Sequence, residues 1–305
     1  MQKTIRIGTR DSELALWQAN TVKNQLQNLG YQTQIVPIKS EGDLVLDKPL
    51  YEMGITGVFT KTLDVAMITG KIDIAVHSMK DVPTALPIGI VQKAVLPRAS
   101  VHDILVYKDT LDVLDGQTII ATGSLRRKAQ WLHQFPHHKV VDLRGNVNTR
   151  LQKLEENAWQ GAIFAAAGLE RIGKKPQRHQ VLNWMIPAPA QGAMVVVVNQ
   201  NDTFSSDAVA KLNDPKTEIC THIEREFLRV LEGGCTAPIG AFAQIKNEII
   251  SFEGALFSLD GSEKIAVKKE ISINNYFHFG KTCALEILEN GGKALMDSIF
   301  EAMKK

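Results

Sequence analysis

Arginines recur at three places where an apolar, strand-like run gives way to a polar turn and then a helical pattern. Arg10 precedes Asp11-Ser12 and the helical stretch from Glu13. Arg126 and Arg127 follow Thr122-Gly123-Ser124, and Arg144 follows the run Lys139–Leu143, with Arg150 just inside the next helical stretch. Helix N-termini present unsatisfied N–H groups and the positive end of the peptide dipoles, so they attract anions. A guanidinium adds a planar fork that matches a carboxylate. In open α/β sheets ligands bind beyond the carboxyl ends of the strands, where such turns lie. A single turn of this kind is explained by capping, since Ser12 and Ser124 suit the N-cap of any helix. Several in register point to a cleft for a polycarboxylate or polyphosphate.

Two further side chains could take part in chemistry. Asp81 follows Lys80 just beyond the apolar run Ile72–His77. It suits a carboxylate that moves a proton or stabilises a cation, and it equally suits a turn residue before Pro83. Cys235 stands in Glu232-Gly233-Gly234-Cys235-Thr236-Ala237-Pro238, so glycines and a proline place its thiol on a loop. A loop thiol can be a nucleophile or a covalent attachment point, and no partner base is visible. Cys220 and Cys283 fall on helical patterns and read as packing residues.

The elements that must position these residues alternate in type. Strands are expected at Thr4–Gly8, Gln32–Ile38, Ile72–His77, Ile104–Tyr107, Thr118–Ala121, Lys139–Leu143, Ala162–Ala167 and Ala193–Val198. Helices are expected at Glu13–Leu29, Val58–Thr69, Ser124–Phe135 and Asn146–Ala158, with a short one from Leu169. Alternation of this kind implies mostly parallel sheets with helices on both faces. The stretch Lys39–Gly57 resists assignment and has the length of a functional loop. Pro187-Ala188-Pro189 marks a hinge. Beyond it, a helix at Lys216–Leu231 precedes three strands near Ile239–Ile245, Ile249–Phe257 and Lys264–Ile271 and two closing helical stretches. Strands grouped before helices read as a small α+β domain.

Composition sets the outer bounds. A chain of 305 residues exceeds one ordinary core and calls for two or three domains. Net charge is only +2, but residues 122–179 hold 11 Lys/Arg against 4 Asp/Glu. That excess favours an anionic partner over a merely solvated face, because its arginines sit at the turns described above. Three cysteines at wide spacing do not make a disulfide framework, and no metal-ligand spacing occurs. Gly168–Lys175 nearly spells a phosphate-binding loop, but Lys175 stands where Ser/Thr should be and Pro176 follows. Trp131 and Trp159 sit at helical core positions and do not alternate with basic residues as in a nucleic-acid platform. The longest aliphatic run is too short to span a membrane, and the N-terminus lacks a signal-peptide pattern, so a cytoplasmic protein is expected.

Taken together, RIGTRDSELALWQA (6–19), HSMKD (77–81), GSLRR (123–127), LRGNVNTR (143–150) and LEGGCTAPIG (231–240) resemble the porphobilinogen deaminase family over nearly the full chain. The resemblance implies an α/β fold: two periplasmic-binding-protein-like lobes with mainly parallel sheets, the active site between them, plus a small C-terminal α+β domain. The expected boundaries are 1–98 with 193–212, then 99–192, then 213–305. It implies a transferase, hydroxymethylbilane synthase, that condenses four porphobilinogen molecules and releases ammonia. It implies a covalent dipyrromethane cofactor in thioether linkage to Cys235 and a monomer with no metal, nucleic-acid or membrane partner.

By the same resemblance Asp81 is catalytic, and Lys80, Asp81, Ser124, Arg126, Arg127 and Arg150 contact the cofactor. Arg10, Ser12, Phe59, Thr122, Arg144, Arg171 and Gln191 contact substrate, Phe59 by stacking on a pyrrole. Two departures from the family pattern stand out. Thr56 replaces a loop lysine, with Lys61 retained nearby, and Pro189-Ala190 replaces the usual pair before Gln191-Gly192. Two other readings use the same arginines: a non-catalytic two-lobed binding protein, which would not need Cys235 or Asp81, and a nucleic-acid binder, whose affinity would fall steeply with salt.

Overall fold

The computed structural model describes residues 3–39, 60–108, 118–231 and 237–303. In chain order these form β1 (Ile5–Thr9), α1 (Glu13–Asn28), β2 (Thr33–Pro37), α2 (Lys61–Ile68), β3 (Ile74–Ser78), β4 (Ile90–Val95), β5 (Asp103–Tyr107) and β6 (Ile119–Ala121). There follow α3 (Leu125–Gln134), β7 (Lys139–Val141), α4 (Val147–Glu156), β8 (Gly161–Ala165), α5 (Ala166–Arg171), β9 (His179–Val181), β10 (Met194–Asn199), α6 (Thr203–Ala210) and α7 (Pro215–Val230). The chain closes with β11 (Ile239–Lys246), β12 (Ile249–Phe257), β13 (Lys264–Ser272), α8 (Phe279–Ile287) and α9 (Lys293–Met303).

The described residues fall into two compact units. The first comprises 3–39, 60–99 and 192–218. Its sheet has the order β2-β1-β3-β10-β4, with β1 parallel to β2 and β3, and β10 antiparallel to β3 and β4. β10, with four consecutive valines, is buried from Met194 to Val198 because it lies inside the sheet, where a continuous β-branched run fits. α1 turns Ala19, Val22 and Leu26 toward Ile5, Ile7 and Val196. Each of these valine, leucine and isoleucine side chains contributes roughly 1.5–3 kcal/mol on full burial. Arg6 forks onto Asp73 (Nε–Oδ2 3.0 Å, Nη2–Oδ1 2.7 Å) and pins β1 to the chain entering β3.

The second unit comprises 100–108, 118–191, 219–231 and 237–303. One of its sheets has the order β7-β6-β8-β5-β9, parallel over β7-β6-β8 and antiparallel over β8-β5-β9. The strand plan of the first unit thus recurs. In each βαβ run the first strand, β1 or β6, lies between the second and third, and a strand from outside the run, β10 or β5, stands fourth and antiparallel. Both sheets are therefore mixed, which narrows the expected "mainly parallel" to their βαβ halves. The other sheet is the antiparallel meander β11-β12-β13. Its core gathers Ile223, Phe227, Phe252, Cys283 and Ile287. Cys220 and Cys283 are buried there as packing residues, and burial pushes the Cys283 thiol up to about 12.

Three elements were not foreseen in the sequence: β4, β9 and α6. Among the described residues no helix is long and apolar enough to cross a membrane.

Candidate active site

In the first unit, β1 delivers the chain to a turn that Thr9 fastens, its buried hydroxyl donating to the Ala15 carbonyl at 2.9 Å. Ser12 occupies the N-cap position of α1 with extended backbone, yet its side chain makes no capping hydrogen bond. The capping explanation therefore does not account for this serine. Arg10, Ser12 and Gln18 instead line a cleft of about 70 Å³, whose other side is His77, Ser78 and Asp81. Gln18 Nε2 donates to Ser78 Oγ at 2.8 Å and ties α1 to the end of β3. A short 3₁₀ turn, Met79–Asp81, then carries Lys80 and Asp81, both half-buried. Arg10, Ser12 and Asp81, singled out on sequence grounds, thus share one cleft.

His77 gives that cleft an unusual member. Its Nε2 is buried with no hydrogen-bond partner among the described residues. Burial and then the positive charge of Arg10 push its pKa down to about 4. The ring is neutral at neutral pH and adds no cation to compete with Arg10.

In the second unit, Ser124 caps α3, accepting from Arg127 N at 3.4 Å. Thr122 Oγ1 accepts from Ser124 N at 3.3 Å. Asn146 caps α4, accepting from Thr149 N at 3.0 Å. Gly123 brings the two turns together: a Cβ there would stand 2.4 Å from the Leu143 carbonyl oxygen. Arg144 follows Leu143, and Arg150 Nε donates back to the Gly145 carbonyl at 2.7 Å. Burial lowers the Arg144 pKa against the opposing pull of Asp142. Arg171 closes α5, where burial brings it down to about 10 against the pull of Glu170.

Arg126 and Arg127 are buried and meet at one carboxylate, Asp103. Gln191, fully buried, donates to the same carboxylate at 3.0 Å and to the Val101 carbonyl at 2.7 Å. Asp103, His77 and Gln18 were missed as site residues. His77 and Asp103 had a signal, a polar side chain within a largely apolar strand, and Gln18 is a polar residue on the buried face of α1 with Ala15, Ala19 and Val22. Cys235, Phe59 and Thr56 lie outside the described residues.

Residues 5–207 match the family model described as porphobilinogen deaminase, dipyromethane cofactor binding domain, and residues 218–289 match the porphobilinogen deaminase C-terminal domain. The chain belongs to the porphobilinogen deaminase family. It is 42% identical over 299 residues to a porphobilinogen deaminase of a Nitratiruptor species, covering 96% of each chain. It is 39% identical to that of Desulforamulus reducens, covering 98% of this chain and 99% of that one. It is 40% identical to a chloroplastic porphobilinogen deaminase of Oryza sativa subsp. japonica, covering 97% of this chain and 86% of that one. Among solved structures it is similar to the methionine binding protein MetQ, at 13% identity and a TM-score of 0.46, covering 68% of this chain and 89% of that one.

The residues of the second unit suit a cofactor that carries carboxylates. Two buried guanidiniums share the Asp103 carboxylate, and Nε of Arg126 is buried with no acceptor among the described residues. A further anionic acceptor would match that unsatisfied donor.

Proposed function

We propose that this chain is a hydroxymethylbilane synthase that joins four porphobilinogen molecules head to tail and releases the linear tetrapyrrole hydroxymethylbilane. The observation that carries this reading is the cleft where Arg10, Ser12 and Asp81 meet beside a neutral His77. Porphobilinogen bears acetate and propionate groups, and a guanidinium pairs with such groups bidentately. Arg10 and Ser12 hold an acidic side chain and orient the ring. The C–N bond of the aminomethyl group breaks, ammonia leaves with the electron pair, and the substrate carbon becomes cationic. Asp81 stabilises that charge at close range. A C–C bond then forms to the free α-carbon of the preceding pyrrole, and the α-proton is lost. Release reverses the first coupling. The C–C bond between the first-added ring's methylene and the preceding pyrrole carbon breaks, and that carbon takes back a proton. Water adds to the methylene cation with loss of a proton, giving the hydroxymethyl end of the product.

The dipyrromethane, when bound, supplies the pyrrole carbon onto which the chain first grows. Cys235 anchors it through a thioether, and Lys80, Asp81, Ser124, Arg126, Arg127 and Arg150 hold it. Thr122, Arg144, Arg171 and Gln191 hold substrate or the growing chain, with Phe59 stacked on a pyrrole. We assign three domains, 1–98 with 193–212, 99–192 and 213–305, and a monomeric cytoplasmic protein. The separate cores around Ile104–Leu169 and Cys220–Ile299 support dividing the second unit.

The deciding measurement is the intact mass of the denatured protein with a peptide map around Cys235. An excess of two linked pyrrole units on that peptide is expected. If Cys235 is unmodified as isolated and gains no mass on incubation with porphobilinogen, the chain is a binding protein and not this enzyme.

A further inference from the structure

Asp103 opens β5 and is fully buried. Its Oδ2 accepts from Arg126 Nη1 at 2.8 Å. Its Oδ1 accepts from Arg127 Nε at 2.9 Å and from Gln191 Nε2 at 3.0 Å, and lies 2.8 Å from Arg127 Nη2. Neighbouring carbonyls complete the arrangement: Ile186 O accepts from Arg126 Nη1 at 2.8 Å, and Ile163 O accepts from Arg127 Nη1 at 2.9 Å. The two long arginine side chains are thereby each fixed at more than one point, which removes rotamer freedom before any ligand arrives.

Among the described ion pairs, two guanidiniums face the one carboxylate of Asp103, where water is scarce and Coulomb forces are strong. Asp103 orders the pair through these contacts. We propose that Asp103 is a positioning residue. Its carboxylate sets the direction of Arg126, Arg127 and Gln191, so that an acidic side chain of a pyrrole meets donors already in place. This inference rests on the functional reading above.

A plain electrostatic role for Asp103 predicts the opposite effect. As a competing anion, Asp103 would weaken the binding of another carboxylate, and its removal would tighten binding. Positioning predicts that removal weakens it. The test uses full-length wild type, Asp103→Asn and Asp103→Glu. It reads the fraction of chains bearing two pyrrole units by intact mass, KM and kcat per loaded chain, and the thermal unfolding midpoint. Both variants are expected to load fewer than about half of their chains, and to raise KM for porphobilinogen about tenfold with kcat within about threefold, at temperatures where they are folded. Asp103→Glu retains the charge and shifts only its position, so wild-type loading and KM in that variant overturn the proposal. So does a lower KM in Asp103→Asn.

If the Asp103 variants do not fold, Gln191→Leu leaves both ion pairs intact and carries the test. Because Gln191 is assigned to substrate and Arg126 and Arg127 to the cofactor, the readout here is loading. Fewer than about half of the chains bearing two pyrrole units at an unchanged unfolding midpoint supports the proposal, and wild-type loading overturns it. A wild type that neither carries pyrrole units nor consumes porphobilinogen defeats the functional reading itself, and the proposal falls with it.

Discussion

The backbone N–H of Ala190 donates to Glu224 Oε2 at 2.6 Å, and the other oxygen of that side chain accepts from Ala243 N at 2.7 Å. A fully buried carboxyl on α7 thus holds both the loop before Gln191 and strand β11. Ala190 has φ 63°, a left-handed conformation that costs a non-glycine residue roughly 1–2 kcal/mol, so the loop depends on contacts that hold it there. Glu224→Ala leaves two buried N–H groups without their acceptor. It is expected to cost about 4 kcal/mol in urea unfolding and to raise KM, because Gln191 follows directly. Wild-type stability in this variant would mean that the loop holds its shape without Glu224.

His77 links the cleft to pH. Its folded pKa of about 4 lies below the unfolded value of about 6.5, so between those values the unfolded chain binds more protons than the folded one. Stability from this residue is therefore complete above about pH 6.5 and lost as pH falls toward 4, by about 3 kcal/mol in all. Between pH 7 and 5, His77→Leu should lose less stability than wild type, by about 2 kcal/mol. Equal losses in the two proteins would mean that His77 is protonated in the folded state. The same neutrality predicts that no limb of the kcat/KM profile near pH 6.5 comes from His77.

Cys235 and Asp81 should separate cleanly in function. Cys235→Ser is expected to carry no pyrrole mass and to release no hydroxymethylbilane, because an ether cannot stand in for the thioether anchor under the same mild chemistry. Asp81→Asn keeps the shape and the anchor but loses the negative charge beside the developing cation. It should retain the two pyrrole units and turn over at least about 100-fold more slowly. Full turnover in Cys235→Ser would remove the family mechanism from this chain, and a wild-type rate in Asp81→Asn would remove Asp81 from the chemistry.

Much of the framework was legible because its periodicities are strong. α1, α3, α7 and the three strands of the meander lie within a few residues of where apolar spacing put them. β4 was missed because Gln92 and Lys93 interrupt its apolar pattern. α6 was missed because Ser205, Ser206 and Asp207 are poor helix formers; Asp202 secures its start by accepting from Ser205 N at 3.1 Å. The site was legible as a set of turns and motifs, but its internal pairing was not. Spacing shows that Arg126 and Arg127 begin a helix, whereas their meeting with Asp103 depends on tertiary packing across β5. His77 and Gln18 look like ordinary strand and helix positions until burial shows that they face a cleft.

Gly123 offers a test of whether the turns themselves matter. A methyl group there would stand 2.4 Å from the Leu143 carbonyl oxygen, and a backbone atom cannot swing aside as a side-chain tip can. Gly123→Ala must therefore push the 122–124 turn away from the segment leading to Arg144, carrying Thr122 and Ser124 with it. A stability loss of about 1–3 kcal/mol is expected, together with a KM raised more than stability alone explains at temperatures where the variant is folded. Gly173→Asn is the matched control. Gly173 has φ 66°, which asparagine tolerates, and nothing lies within 4 Å of the added Cβ. That control should stay within about 0.5 kcal/mol of wild type with an unchanged KM. Equal behaviour of the two variants would show that close approach of the turns is not what orders the anion-binding residues.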